Sequence, residues 1–268
     1  MFDLFPQNGE YGEVNFTAEK ALALMDKNDV EKAVLMQGSM YGFQNRYHAE
    51  LLQKYPERFC PSCTIDPFMT NAVETMEWFF SEKGFHLAKF EVSSGGGLMG
   101  CHDPFDLAGD RMMALYKIVE AHHGVVALDV GDLTMPSHQP ASLARIADAC
   151  PGLKLVVCHL LAPMAGREKE LRLSLELLQK PNVWFDIAAL PKIVAPGTYP
   201  FPAVHETLKT AKSILGADRL MWGTDAPFAA TQDPYGHLAD YLEKGDAFTP
   251  DELRKVYYEN ASHVYFEA

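Results

Sequence analysis

The sequence predicts a (β/α)8 barrel on three observations. Short β-branched runs alternate with longer segments whose apolar residues recur at spacings of three and four, the pattern of parallel strands joined by helices. The chain has 268 residues, close to the usual length of a single barrel domain. Polar residues, many of them acidic, close the apolar runs, and the carboxyl ends of barrel strands are where chemistry is carried.

In chain order, strands are expected over residues 30–37, 59–65, 86–92, 124–130, 153–159, 182–187 and 220–224, each bounded by polar residues, Gly or Pro. Helices are expected over residues 17–28, 45–55, 69–83, 110–123, 140–150, 168–180 and 202–215, with a last one over 250–265. Thr249-Pro-Asp-Glu252 supports the start of that last helix, with Thr as N-cap and Pro at the first helical position. A helix ahead of the first clear strand implies a further strand before it. Only Met1-Phe-Asp-Leu-Phe5 is available, so the first strand is expected to be short or truncated. Counting it closes the barrel, and an open doubly wound sheet is the alternative. With no repeat and no low-complexity linker, residues 1–268 read as one domain.

Hydrophobic residues at 48% and charged residues at 22% place the chain in the ordinary globular class. A net charge of -13 with no cluster of Lys or Arg repels phosphate backbones, which argues against nucleic acid as a partner. The apolar runs are too short to span a bilayer and no basic-then-apolar leader opens the chain. The expectation is a cytoplasmic protein acting on a small molecule, with homo-oligomerisation left open. The five cysteines are scattered, and Cys60-Pro-Ser-Cys63 lies inside an expected strand without a second pair. A structural role is expected for it.

The polar residues at or beyond strand ends are Gln37, Ser39, Asp66, Lys89, Glu91, Ser93, Asp129, Asp132, His159, Asp186 and Asp225. Three segments among them are Pro151-Gly-Leu-Lys-Leu-Val-Val-Cys-His159, Pro181-Asn-Val-Trp-Phe-Asp-Ile187 and Asp218-Arg-Leu-Met-Trp-Gly-Thr-Asp225-Ala-Pro227. Together with Glu259-Asn260-Ala261 near the end, they resemble the amidohydrolase-related family of barrel hydrolases and decarboxylases, which includes aminocarboxymuconate semialdehyde decarboxylase. The Gly-Thr-Asp-Ala-Pro signature is the most specific part.

The resemblance implies a divalent metal, usually zinc, held by a His-x-His pair on strand one, a His on strand five and the Asp of strand eight. A strand-six His then acts on the substrate. Carried over, Asp225 takes the strand-eight position and His159 the strand-six position. The chain has no His-x-His, and strand five ends in Asp129 where the family has histidine. Either the pair has been lost, or the sequence starts downstream of it, since Met1-Phe-Asp-Leu-Phe-Pro6 reads like the segment that follows the pair. The first explanation implies a metal-independent or inactive member, the second a metalloenzyme.

Asp225 suits both metal ligation and proton acceptance from an activated water; its structural alternative is a helix N-cap. His159 suits polarisation of a substrate carbonyl or metal ligation, against a buried core role. Lys89 and Glu91 share one side of a strand and read either as an internal ion pair or as catalytic groups, with Glu91 as substitute ligand or base. Asp129 as a ligand would shift the preference towards Mn2+ or Mg2+. Ser93-Ser-Gly-Gly-Gly97 is expected to form a mobile loop offering amides to an anion. Asp186 is set aside as a cap on its strand. The function expected is metal-assisted hydrolysis of a small carboxylated or cyclic substrate. The alternatives are non-oxidative decarboxylation, or a metal-independent or non-catalytic barrel that binds a small acid.

Overall fold

A computed structural model describes residues 16–39, 41–194 and 197–267. Within that range lie β1 (Ala33–Leu35), β2 (Phe59–Cys63), β3 (Leu87–Glu91), β4 (Val125–Asp129), β5 (Lys154–Val157), β6 (Val183–Asp186) and β7 (Leu220–Met221), one at each expected position. They form one sheet in sequence order, every neighbouring pair parallel. With a helix in each crossover, this is the curled parallel sheet of a TIM-type barrel. The strand expected over residues 1–5 lies outside the described residues.

The helices follow their sequence signals. In α1 (Ala18–Lys27), buried Ala18, Ala21 and Met25 form one stripe, and the Thr17 side chain accepts the Lys20 N–H at the N-terminus. The crossovers continue with α2 (Asn45–Lys54), α3 (Ala72–Ser81), α4 (Asp110–Ala121), α5 (Pro140–Ala149) and α6 (Glu168–Leu177). Two helices follow β6, the short α7 (Leu190–Ile193) and then α8 (Pro202–Leu215). After β7 come α9 (Tyr235–Asp240) and α10 (Pro250–Arg254). At α10, Thr249 and Glu252 form a reciprocal capping box, and the helix runs on through π-helical turns to Phe266. Helices α7 and α9 were not expected, because elements of four and six residues are too short to carry a readable period.

The period of two along the strands sorts their side chains onto two faces. Phe90, Leu128, Val157 and Phe185 point outward and pack with Met112, Leu143, Leu175 and Leu208 of the helices. Burial of each such side chain contributes about 1.5–3 kcal/mol. Leu87, Val125, Ala127, Val156, Trp184 and Met221 point inward and pack with Val264 and Tyr265 of the C-terminal turn, which fill the barrel floor. Cys60 joins the inner set and Cys63 the outer one, so the two thiols face opposite ways and cannot chelate one ion. Both are buried free thiols.

No helix among the described residues is long and apolar enough to cross a membrane.

Candidate active site

The inward positions that follow this apolar floor towards the strand ends are Lys89 and Glu91 on β3, Asp129 on β4 and Asp186 on β6, the polar continuation of the Leu87, Ala127 and Trp184 rows. Glu91 and Asp129 are direct partners across the β3–β4 ladder. Two carboxylates in that relation repel. The buried Lys89 ammonium is the compensating charge: desolvation would lower its pKa, but Asp129, Glu91, Cys158 and Asp225 together raise it above the usual lysine value. Lys89 and Glu91 thus share the inward face as the sequence suggested, with Asp129 and Asp225 near enough to act on the ammonium electrostatically.

The two acids respond differently. Burial raises the Glu91 pKa, with Asp129 adding to the effect and Lys89 opposing it. Glu91 Oε1 accepts from Ser39 Oγ at 3.4 Å, while Oε2 is buried without a partner. Burial alone would also raise Asp129, but His159, Lys89 and the Gly131 N–H outweigh it and hold the carboxyl well below the usual range. Asp129 is thus a fixed anion.

His159 is delivered by an unusual backbone. After β5 the chain enters a turn in which His159, Leu160, Leu161 and Ala162 have φ of 55, 51, 65 and 48°. A left-handed conformation costs a non-glycine residue about 1–2 kcal/mol. Leu160 and Leu161 are buried in the outer core, and the Ala162 N–H bonds the His159 carbonyl at 2.8 Å. The rest of the hold comes from β6. Asp186 Oδ1 accepts the His159 N–H at 2.9 Å and the Ala188 N–H at 3.1 Å, and the His159 Nδ1–H donates to the Ala188 carbonyl at 3.0 Å. With Nδ1 committed, Nε2 faces Asp129 Oδ2 at 3.6 Å, an ion pair rather than a hydrogen bond. Burial would depress the imidazole pKa, but Asp129, Asp186 and Asp225 push it up to about 10. His159 is an imidazolium at neutral pH.

Asp225 stands beyond β7 with φ +59°, ahead of a cis Ala226–Pro227 bond. It is not a helix cap, since the next turn, Ala229–Thr231, has Phe228 at its cap position. Burial raises its pKa, with His159 and Lys89 opposing and Asp129 and Asp186 adding. A carboxylate so raised is suited to taking up a proton. The strand that carries it is only Leu220–Met221, and Asn260 secures it: its side-chain N–H groups bond the carbonyls of Ala217 and Leu220, both at 2.8 Å. The Glu259-Asn260-Ala261 segment thus fastens the C-terminal helix to β7.

Lys89, His159, Asp186 and Asp225 line the inner end of a cavity of about 1060 Å3, whose walls include Gln37, Trp222 and Tyr235. The loop over residues 93–97 plays another part than the one expected. The Gly97 and Gly100 N–H groups bond the Ser93 and Gly97 carbonyls, and the Met99 N–H bonds the Glu91 carbonyl. These amides are committed to the loop itself, and a Cβ at Gly97 would collide with the Glu91 backbone. Gly97 is there for close packing, whereas a Cβ at Gly96 would meet nothing within 4 Å.

The structure therefore brings Asp225, His159, Asp129, Lys89 and Glu91 to one end of the barrel. As a metal site the group does not fit: among the described residues no set of three or more His, Cys, Asp or Glu is arranged to hold an ion. The physical reason lies in the donors. Lys89, an ammonium that cannot ligate, and the His159 imidazolium set two positive charges among the carboxylates and oppose a further cation beside them. Asp186, set aside on sequence, is the addition the structure makes. Its inward register with Trp184 was the one signal that pointed to it.

Comparison with known proteins follows the same lines. A family model described as amidohydrolase matches residues 4–266. An L-fucono-1,5-lactonase from Burkholderia ambifaria is 30% identical over 171 residues, 60% of this chain and 58% of the lactonase, so the match spans less than two thirds of that relative. Among solved structures, an amidohydrolase from Burkholderia multivorans superposes with a TM-score of 0.75 at 15% identity, over 95% of this chain and 90% of its own. A probable 2-pyrone-4,6-dicarboxylic acid hydrolase from Acinetobacter baumannii gives 0.74 at 16%, over 94% and 89%. The 2,6-dihydroxybenzoate decarboxylase from Rhizobium gives 0.66 at 16%, over 94% and 88%. At these identities the structural likeness speaks for the fold.

Proposed function

The chain belongs to the amidohydrolase family, and from that premise we propose that it is a hydrolase of small, uncharged cyclic esters, opening a hydroxylated lactone to its hydroxy acid. The observation that carries the reading is the charge balance at the inner end of the cavity. Its cations, Lys89 and His159, already face Asp129, Asp186, Asp225 and Glu91. At that end a carboxylated substrate would meet more carboxylates than cations, whereas the hydroxyls of a neutral ring find acceptors, Asp186 and Asp225 among them. The likeness to a lactonase supports the same choice over decarboxylation.

In the proposed reaction Asp225 accepts a proton from the water that attacks the lactone carbonyl carbon. Imidazolium His159 donates a hydrogen bond to the carbonyl oxygen as it becomes an oxyanion, and Lys89 adds its positive charge. When the ring C–O bond breaks, the departing alkoxide takes the proton from Asp225, which regenerates the carboxylate. Asp129 keeps His159 and Lys89 charged. Enzymes of this family generally depend on a divalent metal. Zinc, Mn2+ or Mg2+ would have to find ligands outside the described residues, so the proposed chemistry is assigned to side chains alone.

The test is a continuous proton-release assay with a panel of aldono-1,5-lactones, run beside 2-pyrone-4,6-dicarboxylate and 2,6-dihydroxybenzoate, the last two followed by their ultraviolet absorbance. Turnover of lactones without turnover of the two carboxylated compounds is expected. Turnover of a carboxylated compound with no lactone hydrolysis would overturn the reading.

A further inference from the structure

We propose that Asp186 is a positioning residue, whose carboxylate oxygen holds the left-handed turn that aims His159 into the cavity. The geometry is a two-way clasp between the ends of β5 and β6. The backbone of His159 donates to the side chain of Asp186 at 2.9 Å, and the side chain of His159 donates to the backbone of Ala188 at 3.0 Å. The same Asp186 oxygen also takes the Ala188 N–H at 3.1 Å, which fixes the carbonyl that receives the imidazole. One oxygen atom thus sets both the peptide from which His159 departs and the acceptor that orients its ring. Asp186 Oδ1 is 3.6 Å from His159 Nδ1, an ion-pair distance but beyond hydrogen-bond length, so Asp186 favours the imidazolium by its charge and orients the ring through the backbone.

The local sequence does not favour the turn it stabilises. His159, Leu160, Leu161 and Ala162 hold positive φ without a glycine among them, which a chain does only where its surroundings over-determine it. Burial of Leu160 and Leu161 supplies part of that constraint. It fixes the middle of the turn but not its first peptide, which is where Asp186 acts.

The inference makes acceptor position, not charge, the property that matters, and two substitutions separate these. Asp186→Asn keeps an oxygen in place and removes the charge; Asp186→Glu keeps the charge and displaces the oxygen by one methylene. Asp186→Ala removes both. With lactone as substrate, kcat of Asp186→Asn is expected within about three-fold of the parent, while the Glu and Ala variants lose about thirty-fold or more with KM little changed. Independently of turnover, the His159 Cε1–H signal in a 1H–13C spectrum, assigned by its absence from His159→Gln, should keep its position in Asp186→Asn and move in Asp186→Glu.

The turnover arm rests on the hydrolase reading and the spectroscopic arm does not. If the parent hydrolyses no lactone, that reading fails and the spectrum alone decides this one. A His159 signal that moves in Asp186→Asn and stays in Asp186→Glu, or an Asp186→Glu variant with parental kcat, would overturn the proposal. The Asn and Glu pair decides the matter even where Asp186→Ala does not fold.

Discussion

Glu91 and Asp129 are direct cross-strand partners at the ends of β3 and β4, and their surroundings drive their proton affinities in opposite directions, Glu91 upward and Asp129 downward. Neighbouring carboxyls separated in this way take different tasks. Asp129 is the anion that faces Lys89 and His159, and Glu91 is the acid whose charged form burial disfavours.

The difference predicts an asymmetric pair of variants. Glu91→Gln should fold with a melting temperature at or above that of the parent, because it removes a repulsive charge. Asp129→Asn should lose about 3–5 kcal/mol, as expected when one partner of a buried ion pair is deleted. Since the Asp129 pKa is depressed in the fold, its contribution is complete above its ordinary value of 3.8 and is lost as pH falls below that. Urea unfolding at pH 7 and pH 3 measures both, and the two variants should differ less at the lower pH.

Asp225→Asn should reduce lactone turnover by about 10²–10⁴-fold, the range for loss of a general base. Stability should hold or rise, because burial disfavours the charged form of Asp225. Parallel kcat and thermal-melt measurements separate the effects.

His159 gives a stability signature at the alkaline end. Its folded pKa of about 10 lies above the ordinary value of 6.5. The charge it carries therefore stabilises the fold fully below pH 6.5, and that stabilisation declines as pH rises towards 10 and is gone above it. In His159→Gln the fall in unfolding free energy between pH 6.5 and 10 should flatten. The comparison is read from denaturant titrations across that interval.

Prolonged dialysis against EDTA should leave both the melting temperature and lactone turnover unchanged, because the described residues hold no set of three or more ligands and Lys89 and His159 set positive charge among the carboxylates. Elemental analysis of the purified protein should find zinc, manganese and nickel well below stoichiometric amounts. A metal-dependent melting temperature would place ligands where the described residues have none.

Asn260→Ala leaves the carbonyls of Ala217 and Leu220 without their side-chain donors at a buried position. A loss of about 1–3 kcal/mol is expected. Because β7 leads to Asp225, turnover should fall as well, whereas a surface change on α6 such as Glu176→Ala should do neither.

The order and kind of the elements were legible in the sequence because each is set by neighbours two to four residues away. Alternation marked β3 through β6, and Thr249 with Glu252 marked the start of α10. The strand-end rule then picked out Lys89, Glu91, Asp129, His159 and Asp225 as candidates from single positions. Their mutual relations were not legible. That Glu91 faces Asp129 depends on the register of strands more than thirty residues apart, and that Lys89 meets Asp129, Glu91 and Asp225 together depends on the curl of the whole sheet. The left-handed turn at His159 runs against the local preference of Leu160, Leu161 and Ala162, and rests on the burial of the two leucines together with Asp186, on the next strand, which accepts its first N–H. Sequence determined which groups reach the mouth of the barrel; tertiary structure alone decided their charges and their aim, since both come from contacts between strands and not along them.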